Sequence, residues 1–214
     1  MDRRGLLLAV ASVAAADQAA AQNSTIALGD AQPGQLPAGF RTARTGQGAP
    51  AAWSVVVDPS VPSGKVLAQT STDHTDYRFP LAIYDGVTAK DVEVSVRFKA
   101  VDGRIDRAGG IAVRLADPDN YYVLRANALE DNVNFYHVVH GSRRQISGTN
   151  VKVPSDQWHT LSLTAAGDQF TIGFNDKKLF TATDRTFSSA GKIALWTKAD
   201  SVTWFDNLTI RTRG

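Results

Sequence analysis

The sequence predicts an all-β fold, a two-sheet antiparallel sandwich of the jelly-roll kind, and three observations lead there. Short segments alternating apolar and polar residues recur from Trp53 to Ile210. Clusters of turn residues separate them, and no stretch carries the 3.6-residue period of a helix. In the run from Asp91 to Val101, Val92, Val94, Val96 and Phe98 share one face, while Glu93, Ser95, Arg97 and Lys99 share the other. Many strands with one wet face each, in a domain of this size, fit two stacked sheets. A repeat of about 40 residues, the mark of a propeller, is absent.

In order along the chain, the predicted strands are 53–57, 65–69, 77–83, 92–101, 110–116, 121–126, 133–140, 143–146, 158–165, 169–174, 178–182, 192–198 and 202–210. The turns between them are marked by Asp102-Gly103, Asp117-Pro118-Asp119-Asn120, His140-Gly141-Ser142, Gly167-Asp168 and Asn175-Asp176. Residues 22–50, rich in Gly, Pro, Ala and Gln, read as an irregular lead-in with a possible first strand, and residues 51–214 as the jelly-roll domain.

Residues 1–21 have the form of an export signal. Arg3 and Arg4 precede the apolar run Leu6 to Ala16, and small residues close at Ala19-Ala20-Ala21. The run is too short to span a bilayer. A cleaved signal implies a periplasmic or extracellular protein that starts near Gln22 and inserts in no membrane. The net charge of +2, from 23 basic and 21 acidic residues, gives no support to nucleic-acid binding. With no cysteine in the chain, disulfides, thiolate metal sites and thiol catalysis are all excluded.

From Gly109-Gly110-Ile111-Ala112-Val113-Arg114 through Asp117-Pro118-Asp119-Asn120-Tyr121-Tyr122, the chain resembles the concanavalin A-like lectin and glucanase superfamily. The likeness continues at Trp158-His159-Thr160-Leu161, at Phe174-Asn175-Asp176-Lys177-Lys178-Leu179, at Gly191-Lys192-Ile193-Ala194-Leu195-Trp196 and at Trp204-Phe205-Asp206-Asn207-Leu208. Within that superfamily it is most similar to the 3-keto-disaccharide hydrolase-like family, formerly a domain of unknown function, and to laminin-G-like jelly rolls. The resemblance implies a sandwich whose concave sheet can hold a sugar, but not whether the sugar is turned over.

Along residues 110–116 the odd positions are expected to face the core, leaving Arg114 on the open face; Arg125 and Asn127 alternate in the same way on the next strand. Their donors suit sugar hydroxyls, and Tyr136 and Trp196 suit stacking on a pyranose. The competing structural reading pairs Arg114 and Arg125 with Glu130, Asp131 or Asp206 and puts Trp196 in the core. Retaining glucanases need carboxylates at i, i+2 and i+4 of one strand. Here Asp91, Glu93 and Ser95 fill those places, so the acid/base residue is missing. Glu93, and His74 on an Asp-flanked loop, are the candidates for acid/base work. No cofactor is required by this chemistry; a structural calcium on Asp30 and Asp206 is the one metal expected. The functional expectation is a monomer that binds a glycan on its concave sheet. The alternatives are a glycoside hydrolase acting on a 3-keto-disaccharide and a structural or protein-interaction module.

Overall fold

A computed structural model describes residues 23–26, 28 and 31–213. Residues 1–21, read above as an export signal, and Asp30 lie outside the described residues. The strands are β1 (Asn23–Ile26), β2 (Phe40–Gly46), β3 (Trp53–Val57), β4 (Lys65–Gln69), β5 (Arg78–Ala89), β6 (Val92–Asp102), β7 (Ala108–Asp117) and β8 (Asn120–Asn127). They continue with β9 (Asn132–Val139), β10 (Ser142–Asn150), β11 (Trp158–Ala166), β12 (Gln169–Phe174), β13 (Lys177–Thr183), β14 (Gly191–Trp196) and β15 (Val202–Thr212). Among the described residues there is no helix.

Two antiparallel sheets result. The first runs β13-β12-β11-β6-β15-β4-β3, with β1 paired to β15, and the second runs β10-β9-β8-β7-β14-β5-β2. The lead-in thus contributes β1 to the first sheet and the edge strand β2 to the second. The alternation in β6 is realised as read: Val92, Val94, Val96 and Phe98 pack in the core between the sheets, against Ile111, Val113, Leu124 and Phe135 of the second. Each such side chain contributes about 1.5–3 kcal/mol when fully buried. Where β12 turns into β13, Asn175 and Asp176 both take positive φ, 48° and 62°. Those are the left-handed conformations that a two-residue hairpin with the right twist requires.

The second sheet is buried on both faces, which period-two reading alone does not predict. Residues alternating with the inner set, among them Phe79, Leu81, Tyr121, Val123, Tyr136 and Trp196, form a second apolar cluster on its outer face. They are covered because the sheet curls until β2 meets the β7–β8 turn and the residue before β5 meets the β9–β10 turn. Thr45 of β2 donates to the Pro118 carbonyl in the β7–β8 turn at 2.5 Å and lies 2.7 Å from the Tyr121 hydroxyl. Tyr77 donates to the Gly141 carbonyl and accepts the Arg143 N–H, at 2.9 and 2.7 Å. The outer face is therefore concave, and closed along one diagonal. Gly110 makes room at its floor: a Cβ there would lie 2.5 Å from the Leu124 carbonyl oxygen and 3.3 Å from the Trp196 ring.

Candidate functional site

The polar groups of the concave face gather at the corner where β8 and β9 meet the loops after β6 and β14. The turn between β8 and β9 is set by Asn127, whose Oδ1 accepts the N–H groups of Leu129 and Glu130 at 2.8 and 3.2 Å. Its Nδ2 donates to Asp106 at 2.9 Å. The turn delivers the Glu130 carboxylate to Arg125 Nη2 at 2.8 Å and to Asn132 Nδ2 at 2.9 Å, while Arg125 also donates to Asn132 Oδ1 at 2.6 Å. The Arg125 side chain is only 2% exposed. Burial works to raise the Glu130 pKa, but the hydrogen bonds from Arg125 and Asn132 outweigh it and hold the carboxyl below its ordinary range.

Beside this group lies a second, built on loops. Asp106 Oδ2 sits 3.0 Å from Lys198 Nζ, which also reaches Asp76 at 2.5 Å. Burial pushes the Asp106 carboxyl up, and the attraction of Lys198 only partly offsets that. Lys198 is affected in the opposite sense: burial lowers it, but Asp76 and Asp106 hold its ammonium above the ordinary lysine value. Beneath them, Asp200 accepts the backbone N–H groups of Arg104, Ile105 and Asp106 at 2.7, 3.0 and 2.9 Å. Burial would raise the Asp200 pKa, but these three donors more than reverse it.

In the centre of the face stands Tyr136. Its hydroxyl accepts from Asn134 Nδ2 at 3.0 Å, and its ring has the guanidinium carbons of Arg125 and Arg143 at 5.5 and 4.6 Å from the centroid. Arg125 and Asn134 are direct cross-strand partners, and Gly110 and Trp196 continue the same row across β7 and β14. Guanidinium and amide groups from β8 and β9 thus meet carboxylate and ammonium groups from the adjoining turn and loops, with donors and acceptors interleaved.

Of the residues expected from the sequence, Arg125, Asn127 and Tyr136 come together here. Arg114 does not join them. The ladder between β7 and β8 shifts register between Val113 and Asp117, and Arg114 takes φ 50°. Its side chain is thereby carried away from the open face to the carbonyls of Lys90, Phe187 and Gly167 and to the Asp91 carboxylate. Trp196 is on the concave face but 0% exposed, its N–H donating to the Tyr121 hydroxyl at 3.2 Å and its ring packed on Phe79. Neither the Trp196 ring nor the Tyr136 ring, which lies against guanidinium groups, offers a free pyranose platform.

The remaining candidates are dispersed. Glu93 lies on the other sheet, where Arg213 and Arg211 answer it at 3.3 and 3.7 Å. His74 stands at the rim of the loop group, 3.6 Å from Asp200, with its side chain 67% exposed. Asp206 pairs with Arg97 through Oδ2 at 2.9 Å. Among the described residues no three His, Cys, Asp or Glu side chains are grouped so that they could hold a metal ion. Sequence reading missed Asn132, Asn134, Asp106, Lys198 and Arg143. Asn132 and Asn134 were accessible to it, since they alternate with core-facing Val133 and Phe135 exactly as Arg125 and Asn127 do with their neighbours. Asp106 and Lys198 come from loops, where no period points.

Two curled antiparallel sheets with a polar concavity define a jelly roll of the lectin and glucanase type. The chain belongs to the family of 3-keto-alpha-glucoside-1,2-lyase-like domains, whose model matches residues 30–211, and that makes it a carbohydrate-associated jelly roll. Among solved structures it is similar to the carbohydrate binding module CBM66 from Bacillus subtilis. That match has 22% identity and a TM-score of 0.63, and covers 81% of this chain and 96% of that one. It is also similar to a beta-glucanase from Bacillus licheniformis, at 14% identity and a TM-score of 0.58, over 86% and 97% of the two chains. Domain 4 of an extracellular arabinanase from Geobacillus stearothermophilus, in complex with arabinotriose, matches at 16% identity and a TM-score of 0.51, over 80% and 82%. At these identities the likeness is one of fold. No curated protein sequence matches the chain.

Proposed function

We propose that this is an exported, monomeric domain that binds a glycan at the polar corner of the concave sheet. One observation carries the reading: Arg125, Asn127, Asn132, Asn134, Asp106 and Lys198 gather in hydrogen-bonded groups at one corner of the second sheet. Side chains of this kind, partly desolvated and held by neighbours, are what fix the orientation of a hydroxyl-rich ligand. Two of the similar structures, a carbohydrate binding module and a domain in complex with arabinotriose, support it.

The test is a glycan screen of the mature chain that includes 3-keto disaccharides, followed by calorimetry on Arg125→Ala. A charged hydrogen bond contributes about 1.5–3 kcal/mol, so affinity should fall roughly ten- to hundredfold. The melting temperature should also fall, because the substitution leaves Glu130 without its partner. Unchanged affinity in a folded variant removes the site from this corner.

Turnover is the second reading, favoured by the family match and by Asp106. In a 3-keto glycoside the carbonyl acidifies the C2 proton. A base that takes it sends the electron pair towards C3; as the enolate restores the C3 carbonyl and forms the C1–C2 double bond, the C1–O bond breaks and the departing oxygen takes up a proton. A carboxyl pushed up by burial beside a lysine suits such proton transfer. Released aglycone in the same screen, abolished by Asp106→Asn, is the expected result under this reading; binding without release leaves the domain a module. Export is supported by the leader read in residues 1–21, and intact mass of the secreted chain is expected to place its start near Gln22.

A further inference from the structure

Two basic groups of the concave face, Arg125 and Lys198, have carboxylate partners. Arg125 is answered by Glu130 at 2.8 Å, and Lys198 by Asp76 and Asp106 at 2.5 and 3.0 Å. Arg143, from β10, has none within ion-pair distance among the described residues. Its guanidinium is laid instead on the aromatic floor, 4.8 Å from the Phe79 ring, 4.6 Å from Tyr136 and 5.7 Å from Trp196. Its Nη1 is buried without a hydrogen-bond partner, and so is the Nε of Arg125 on the same Tyr136 ring. Contact with aromatic faces offsets part of the cost of desolvating a guanidinium, but it leaves the in-plane N–H groups unanswered, and buried donors without acceptors are costly.

Resting on the reading of this corner as a sugar site, we infer that the sugar it takes carries an anionic group, a uronate carboxylate or a sulfate ester, and that Arg143 receives it. The fixed planar fork of a guanidinium matches a carboxylate or sulfate in its own plane. Contact with Phe79 and Tyr136 restrains the side chain in advance, so little side-chain freedom is lost on binding.

Matched sugars test this: cellobiose against cellobiouronic acid, galactobiose against digalacturonic acid, and galactose against galactose 6-sulfate, each titrated into the chain at low and high salt. At least one acidic member should bind about tenfold or more tighter than its neutral partner, with the advantage shrinking as salt rises. Which acidic arm responds separates carboxylate from sulfate. In Arg143→Gln, checked for folding by its melting curve, the ratio between the paired sugars should fall towards one. Neutral sugars binding as tightly as their acidic partners would overturn the anion inference while leaving the sugar site standing. Binding of none of the six would overturn both. An acidic preference unchanged in a folded Arg143→Gln would take the role away from this arginine.

Discussion

Arg114→Ala is expected to destabilise the domain by about 3 kcal/mol or more, because the substitution removes one partner of a buried charged network. The side chain is 1% exposed and ties three connections at one end of the sandwich: Lys90 in the β5–β6 turn, Gly167 in the β11–β12 turn and Phe187 before β14. Its guanidinium also lies 5.1 Å from the Phe170 ring, so methylene packing is lost along with the hydrogen bonds. For a domain of this size, each kcal/mol shifts the melting temperature by about 2–4 °C, so a drop of roughly 6–12 °C should be seen. Lysine should not rescue it, since a single ammonium cannot span three carbonyls and Asp91 as a fork does. Sugar binding by any surviving fold should change little. A melting curve like that of the native chain combined with lost binding would return Arg114 to the ligand site.

That residue also shows where the sequence stops being legible. The strand pattern is a two-residue period, and it correctly places Ile111 and Val113 in the core between the sheets. It cannot announce the bulge at which the period breaks, because a positive φ at an arginine is enforced by its distant carbonyl partners and not by its own preference. Beyond the break every inside-outside assignment inverts, and Leu115 falls in the outer cluster. The curl of the second sheet is hidden for a similar reason. Whether Trp196 is a sugar platform or a covered side chain depends on Thr45 meeting Pro118, 73 positions away. Nothing local to Trp196 encodes that closure. Arg125 and Asn127, by contrast, lie on a regular stretch of β8, so period alone was enough to aim them at the concave face. Their loop-borne partners Asp106 and Lys198 reach it through Asp200 and through the pairing of β14, which are tertiary facts.

Asp200→Ala should be nearly as damaging, and its effect should depend on pH in a predictable direction. The native carboxylate holds the successive N–H groups of Arg104, Ile105 and Asp106, and its side chain is 2% exposed. Removing it leaves three part-buried or buried donors without an acceptor, each worth about 1–3 kcal/mol, less whatever water recovers. Because those donors hold the folded-state pKa of Asp200 below its ordinary value of 3.8, the carboxylate's contribution is fully present above that value. It is lost as pH falls through the lower, folded-state pKa. Native chain and variant should therefore differ most in denaturant midpoints at pH 6–7, and the gap should narrow on acidification below about pH 4. Asp200→Asn separates geometry from charge: its Oδ1 can still accept, so it should recover part of the stability, but without the acid dependence. The loop that Asp200 holds is the one that presents Asp106 to Lys198, so ligand affinity should fall in step with the loss of loop order. A gap between native and variant that stays constant from pH 7 to pH 2 would mean that the carboxylate's charge is not what organises this loop.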